Sequence, residues 1–478
     1  MKNYIEIGNM REFFWDDYLI DREKTNAFFR VNNPIKCELS FVFDEKREKI
    51  GISYPCILND GKNYKIYYTP NEDAAVWPPV HYISVIESND GLNWSKPALN
   101  IYEHPELKIN NVVLDGLWDS ASFFYDENPN CPKDEKYKAI GKTKGMVDGE
   151  EKEGLWCWTS EDGYNFKLTH FLTDNGFFDS LNTIVWQGGR YTCFFRGFHN
   201  IVPNGEISWA TRDVRVMHSD DFKNWSQPEL IKFDDDLDYA LYTNNALPYE
   251  RAPQYTIGFP TRYFERNGWT DNIKQMPSYK AKRAKADRYA LQVDKDRVGL
   301  VNTDCIFMFS RDGGDNWHRY HEAFYSPDYE NEGNWIYGDC YPSYNFVDIG
   351  DENYYFYDIE GSFSPELDSP MYRYKIRKDG FASMYADGKE RIAITKPLIF
   401  EGKDLHLNFK TSAYGYVYVE VLDKVGNPIS EKSFEIYGNN IDRKILFEND
   451  EDFSKFAGKP VRLKFTMLDA SLYSMKFE

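Results

Sequence analysis

The sequence predicts an all-β fold, a five-bladed β-propeller followed by a C-terminal β-sandwich. Three observations lead there. Aromatic residues make up 17% of the 478-residue chain, with 36 Tyr, 34 Phe and 12 Trp, and such residues favour pleated, half-buried strands. A Ser/Asp turn motif recurs after strand-like runs. A second pattern, an apolar run, a polar turn and an aromatic run, alternates with it.

The first turn is Ser88-Asn89-Asp90-Gly91-Leu92-Asn93-Trp94. Ser160-Glu161-Asp162-Gly163-Tyr164-Asn165-Phe166, Ser219-Asp220-Asp221-Phe222-Lys223-Asn224-Trp225 and Ser310-Arg311-Asp312-Gly313-Gly314-Asp315-Asn316-Trp317 follow. Lys378-Asp379-Gly380-Phe381 is a worn fifth copy. The Asp-to-Asp spacings are 72, 59, 91 and 67 residues. Asp can accept hydrogen bonds from the turn backbone, Gly supplies the special φ, and the aromatic is expected to pack back onto its hairpin.

The interleaved pairs of runs are 52–58 with 64–68, 119–125 with 137–140, 179–186 with 191–195, 242–249 with 255–259, and 339–347 with 354–357. One pair precedes each Asp turn. A unit of four antiparallel strands repeated five times describes a five-bladed propeller, assigned to residues 1–386. Residues 264–300 interrupt blade four. From Arg266 to Arg297 they hold nine Lys/Arg against four Asp/Glu, and 280–285 has helical character. The first expectation is a solvated insertion; the sharper one is a lid or a homo-oligomer contact. From residue 387 to 478 the runs alternate like half-buried strands, with a hairpin turn at Asp423-Lys424-Val425-Gly426-Asn427-Pro428, and read as a β-sandwich.

Charge narrows the partners. The formal net charge is −20, which argues against a nucleic-acid binder or an anionic membrane surface. No stretch of about 18 apolar residues exists to span a membrane. The N-terminus lacks an apolar secretory core. Seven scattered cysteines without a C-x-x-C pattern signal neither a disulfide framework nor a zinc site. A reducing cytoplasm is the expected location. No cofactor or metal is expected; an axial Ca²⁺ is conceivable, but no residue pattern specifies it.

Chemistry is sought where the blades converge. When the inner strands are aligned by their apolar cores, the opening position is Ile52, Asp119, Asp179, Tyr242 and Asp339. Second strands end near the same level with Glu72, Lys142, Arg196, Arg262 and Glu360. Acids, Arg, Tyr and Trp around one funnel suit glycoside hydrolysis: one carboxylic acid protonates the leaving oxygen, and a second carboxylate activates water or attacks the sugar. The candidate catalytic residues are therefore Asp119, Asp179, Asp339 and Glu360, with Glu360 or Asp179 favoured as the acid. Asp17 joins them because blade one offers only Ile52. Trp118, Arg196, Tyr242, Asn244 and Arg262 are candidate substrate contacts, and Trp186 is a further sugar platform. Each has a plainer alternative: a strand-start cap, a structural ion pair or, for residues 13–18, part of the strand that closes the ring. No P-loop, dinucleotide fingerprint, zincin motif or nucleophile elbow is found.

The Ser-x-Asp-Gly-x-x-Trp turns resemble the Asp boxes of sialidases. Only 310–317 has the full Ser-x-Asp-x-Gly-x-x-Trp form. The architecture resembles the five-bladed glycoside hydrolase superfamily, which includes the fructosidases of family 32, the arabinofuranosidases of family 43 and the mannoside phosphorylases of family 130. Trp118-Asp119-Ser120 sits where the blade-two Asp of that group stands, and Asp17 in Trp15-Asp16-Asp17 is a remote match to its first Asp. Asp179 replaces the Glu usual in blade three, which suggests a divergent branch. The resemblance implies a glycosidase, exo-acting on a small oligosaccharide or terminal sugar, with a furanoside favoured. It leaves open a phosphorylase using Arg196, Arg262 and Lys142 on phosphate, a sialidase-like enzyme with Arg196, Arg262 and Tyr242, and a propeller that only binds sugar.

Overall fold

The computed structural model describes residues 4–48, 51–71, 81–103, 110–117, 120–201, 210–289, 299–361, 368–447 and 453–478. The chain divides into two compact units. One comprises Pro34–Tyr249 and Pro253–Lys375; the other comprises Met1–Asn33, Glu250–Ala252 and Ile376–Glu478.

The larger unit is the five-bladed propeller. Blade one runs Ile52–Asn59, Tyr64–Pro70, His81–Ser88 and Val112–Leu117, each strand antiparallel to the next. Blade two runs Ala121–Tyr125, Tyr137–Val147, Glu150–Ser160 and Lys167–Thr173. Blade three runs Thr183–Gln187, Arg190–His199, Thr211–Ser219 and Glu229–Leu230. Blade four is the least regular. Its short strands Leu247–Pro248, Thr256–Gly258, Met308–Ser310 and Asn316–Arg319 are extended by the pair Thr261–Glu265 and Val301–Cys305. In blade five, Asn353–Ile359 and Ser369–Arg377 are joined by Ile35–Phe43, a strand that precedes blade one in sequence. That strand closes the ring. Residues 13–18 do not: Glu12–Phe13 pairs with Val461–Phe477 in the other unit.

Four of the Asp turns share one geometry. Asp90 Oδ1 accepts from the amides of Leu92 and Asn93 at 2.8 Å each, and Oδ2 accepts from Asn93 Nδ2 at 2.7 Å. Asp162, Asp221 and Asp312 repeat the pattern on their own turns. In three of these turns the closing aromatic also reaches the preceding blade. Trp94 meets Tyr357 of blade five edge-on at 5.4 Å. Phe166 meets Tyr67 of blade one at 6.2 Å, and Trp317 meets Phe194 of blade three at 5.7 Å. A tyrosine hydroxyl seals two of these joints: Tyr67 donates to the Gly163 carbonyl at 2.8 Å, and Tyr357 donates to the Gly91 carbonyl. Stacked blades bury both faces of their strands, so these large rings fill the space between sheets.

The fifth turn is different. Asp379 lies in the other unit, at φ 63°. Its carboxylate receives Arg11 and Arg251. That unit is the β-sandwich. Its long strands Leu405–Asp423 and Val461–Phe477 pair along their length with a register break between Thr411 and Tyr416. Gly415 at the break is required, since a Cβ there would lie 2.3 Å from the Asp469 carbonyl oxygen. Leu405, Leu407, Phe409, Val417, Val419 and Val421 alternate inward onto Leu463, Phe465 and Met467, as a half-buried strand should. Among the described residues, no helix is long and apolar enough to cross a membrane.

Candidate functional site

In the propeller unit, the starts of blades one and five meet at a small pocket. Ile52, Ser53, Tyr54 and Pro55 form one wall, and Tyr337, Gly338, Tyr341, Asp358 and Ile359 the other. Near the opening positions of blades one, three and five, Tyr54 (52°), Phe178 (61°), Trp335 (63°) and Cys340 (58°) are among the non-glycine residues that hold positive φ. L-residues seldom adopt that conformation, and clusters of it accompany functional sites. Phe178 and Cys340 flank two of the aligned acids, Asp179 and Asp339.

Asp179 is half exposed and pairs with Arg196, Nη1 to Oδ1 at 3.3 Å. The Arg196 side chain is fully buried. Its Nη2 donates to the Tyr242 carbonyl at 2.5 Å, and its guanidinium lies 4.3 Å from the Tyr242 ring. Burial works against this charge, but Asp179, Tyr242, Tyr54 and Tyr337 around it raise its pKa. Its Nε and the Tyr341 hydroxyl have no partner among the described residues. Tyr242 stacks on Tyr263 at 5.6 Å and accepts from or donates to the Tyr337 hydroxyl at 2.9 Å. The structure thus brings Asp179, Arg196 and Tyr242 together, and Tyr54 and Tyr337 link them to the pocket.

Asp339 is buried, and its carboxylate accepts the Ile336 amide at 3.2 Å. Burial pushes its pKa up to about 7, against the pull of Lys285 and Lys282. Those two lysines come from the insertion in blade four. The helix Tyr279–Tyr289 buries Lys282, Lys285 and Ala286, together with Ser278 just before it. Lys285 donates to the Tyr337 carbonyl, and burial lowers Lys282 to about 8. The insertion is therefore not simply a solvated loop; one helical face at i, i+4, i+7 and i+8 carries buried cations toward Asp339. An acid whose folded pKa is raised binds its proton more tightly when folded. Its stabilising effect is complete below the unfolded value near 3.8 and is lost as pH rises toward 7. Asp339→Asn is thus expected to flatten the fall in melting temperature between about pH 4 and pH 7; an unchanged profile by scanning calorimetry would refute this.

Asp358 was missed by the sequence reading, which favoured its neighbour Glu360. It lines the pocket, is buried, and accepts its own strand's Ile359 amide at 2.8 Å. Burial raises its pKa well above the usual carboxylate range. Glu360 is more exposed, ion-paired to Lys36 and accepting from Tyr374 at 2.9 Å.

The other predicted residues lie elsewhere. Arg262 makes a two-pronged ion pair with Asp304, both contacts at 2.7 Å, and donates to the His321 carbonyl. Asn244 is buried between blades, where Thr183 donates to it at 2.7 Å and it donates to the Leu181 carbonyl. Lys142 pairs with Glu153 at 3.0 Å. Trp186 packs on Tyr191 at 4.6 Å. Asp17 belongs to the sandwich unit, is exposed, and lies 3.7 Å from Arg22. Trp118, Asp119 and Glu72 lie outside the described residues. Among the described residues, no group of three or more His, Cys, Asp or Glu could hold a metal ion.

No family model and no curated protein matches the chain. Solved structures do. An N-acetylgalactosamine deacetylase from F. plautii is 11% identical over 74% of this chain and 96% of that one, with a TM-score of 0.43. A family 32 β-fructofuranosidase from Bombyx mori is 10% identical over 96% of this chain and 95% of that one, at a TM-score of 0.36. A protein of family 130, a family of mannoside phosphorylases containing glycoside hydrolases that target β-1,2 mannosidic linkages, is 10% identical over 78% and 96%, at 0.38. These likenesses concern the fold.

Proposed function

We propose that the chain is a glycoside hydrolase that removes a terminal sugar from a small oligosaccharide, with its site at the propeller mouth. The observation that carries this is a pair of carboxylates in opposite surroundings: Asp358, buried in the pocket wall, where burial raises its pKa, and Asp179, half exposed and paired with Arg196. Environments that separate two carboxylates in this way assign one as acid and the other as base or nucleophile. Asp358 takes the acid role that the sequence reading gave to Glu360 or Asp179. Asp339 tunes the site from beneath the inserted helix, and Asp119 keeps its sequence-level candidacy as a further carboxylate. The aromatic walls, Tyr54, Tyr337 and Tyr341, suit the apolar face of a sugar ring, and the unpartnered Tyr341 hydroxyl suits one of its hydroxyls. The furanoside preference rests on the resemblance to families 32 and 43.

Phosphorolysis is less favoured, because two of the three cations proposed for a phosphate clamp, Arg262 and Lys142, are paired with Asp304 and Glu153. The test is a panel of aryl furanosides, aryl pyranosides and sialosides, each with and without phosphate. Turnover of one glycoside without phosphate, abolished in Asp179→Asn, is the expected result. Turnover that requires phosphate would overturn the hydrolase reading, and sugar binding without turnover would leave a binding propeller.

A further inference from the structure

One wall of the pocket belongs to no strand. Tyr337, Gly338 and Tyr341 line it, and the segment 335–341 that carries them forms no strand of its own. Trp335 and Cys340 hold φ of 63° and 58°, and Gly338 of 105°. A backbone of that shape persists only where its surroundings over-determine it, and its buried carbonyls still need donors. Blade four supplies them from side chains. Asn302 Nδ2 donates to the Trp335 carbonyl at 3.0 Å, Thr303 to that of Asp339 at 2.6 Å, and Thr261 to that of Cys340 at 3.0 Å. All three donors sit on the strand pair Thr261–Glu265 and Val301–Cys305. Tyr337 is reached from the inserted helix Tyr279–Tyr289, where the Lys285 ammonium donates to its carbonyl.

The same ammonium lies 4.4 Å from the centre of the Tyr337 ring. Lys285 thus meets both the backbone and the ring of one residue that lines the pocket. It is buried, and a cation over an aromatic face is held most firmly out of water. At the far end of the ring, the Tyr337 hydroxyl shares a hydrogen bond with the Tyr242 hydroxyl at 2.9 Å, and Tyr263 meets the ring edge-on at 6.1 Å. Tyr242 in turn accepts Arg196, the partner of Asp179. We propose that Lys285 is a positioning residue for sugar binding: through Tyr337, the helix inserted in blade four sets which sugar the pocket accepts. This rests on the glycosidase reading. In this scheme Lys285 touches no substrate atom, and its replacement leaves the carboxylates of the site in the chain. Its loss weakens sugar binding in the ground state and the transition state alike, which raises KM and spares kcat.

Lys285→Met keeps a side chain of similar length and removes the donor and the charge. Hydrogen–deuterium exchange of the substrate-free protein, read by mass spectrometry, is expected to become several-fold faster in peptides covering 335–341 and to stay the same in blades two and three. In turnover assays, KM for the accepted glycoside is expected to rise about tenfold, the worth of one desolvated contact of this kind, with kcat within about twofold. Sugars that the unsubstituted protein rejects should then approach the accepted one in kcat/KM. In a Tyr337→Ala background the same substitution is expected to leave KM unchanged, because the ring through which Lys285 acts is gone. Lys280→Met, at an exposed position of the same helix, is expected to alter neither readout. Should Lys285→Met fail to fold, Lys285→Gln, which retains a donor, is measured in the same way with smaller expected changes. Exchange at 335–341 no faster than in the unsubstituted protein, a loss carried by kcat with KM unchanged, or an undiminished KM effect in the Tyr337→Ala background overturns the proposal. If no glycoside is turned over, the glycosidase reading fails by itself, and the exchange measurement alone decides whether Lys285 holds the wall.

Discussion

Asp358→Asn is expected to reduce kcat by roughly 10²- to 10⁴-fold, the usual contribution of a general acid, while leaving the melting temperature nearly unchanged. The amide is isosteric with the neutral carboxyl. Its oxygen can still accept the Ile359 amide, the bond seen at 2.8 Å, and no charge is added to or removed from a buried site. The loss should depend on the leaving group. A glycoside with an acidic phenol departs without protonation, so the variant should recover most of its activity on a nitrophenyl or dinitrophenyl glycoside and little on an alkyl glycoside. The pH profile should change too. Burial raises the Asp358 pKa, so activity should fall as pH rises through the titration of this acid. In Asp358→Asn that alkaline limb should vanish. Full activity of Asp358→Asn on an alkyl glycoside would remove Asp358 from the mechanism.

Glu360 stands out in the sequence as a favoured acid beside Asp179, and its neighbour Asp358 does not. In Tyr354-Tyr355-Phe356-Tyr357-Asp358 every residue is buried, because the blades cover both faces of the strand. The two-residue alternation that separates a wet face from a dry one is therefore absent. A lone Asp in a wholly apolar strand was the available signal, since a buried carboxylate is costly unless it is partnered or neutral. The five blades were legible for the opposite reason. Asp90, Asp162, Asp221 and Asp312 bond amides within four residues of themselves, so their geometry is written locally. Asp379 has the same local sequence signal, but its partners lie 368 and 128 residues away, beyond what a turn motif can reveal. Lys282 and Lys285 misled in the same way. A basic run reads as a solvated face, and only the docking of its helix near Asp339 buries it. Blade repetition carries one position to another, which is why Asp179, Tyr242 and Asp339 stand out at the aligned strand starts; Arg196 lies within the strand Arg190–His199.

Asp379→Ala is expected to be the most destabilising single change in the sandwich unit. The carboxylate is fully buried. It receives Arg251 Nε at 2.8 Å and Nη2 at 3.3 Å, Arg11 Nη1 at 3.3 Å, Ser474 at 2.6 Å and Asn408 at 3.0 Å. Its backbone carbonyl holds the Trp15 indole at 2.8 Å. Arg11 comes from the N-terminus, Arg251 from the Glu250–Ala252 segment, and Ser474 and Asn408 from the two long strands, so one side chain joins four separate stretches of this unit. Removing it takes a buried carboxylate from two guanidinium groups, one of them almost wholly buried and left with Asp442 at 3.5 Å. Breaking a buried pair from one side costs about 3–5 kcal/mol, which for a unit of this size lowers the melting transition by roughly 10 °C. The pH dependence has a defined sign. Burial alone would raise the Asp379 pKa, but Arg251, Arg11 and Ser474 outweigh it and hold it below the ordinary value of 3.8. A depressed folded pKa contributes stability that is complete above the unfolded value and is lost as pH falls through the folded one. The unsubstituted unit should therefore lose stability on acidification below about pH 4, whereas Asp379→Ala should start lower and vary less over that range. Calorimetric scans of both proteins from pH 2 to pH 7 decide it: parallel curves would mean that the carboxylate contributes no charge-dependent stability, and equal melting temperatures at pH 7 would mean that it joins nothing.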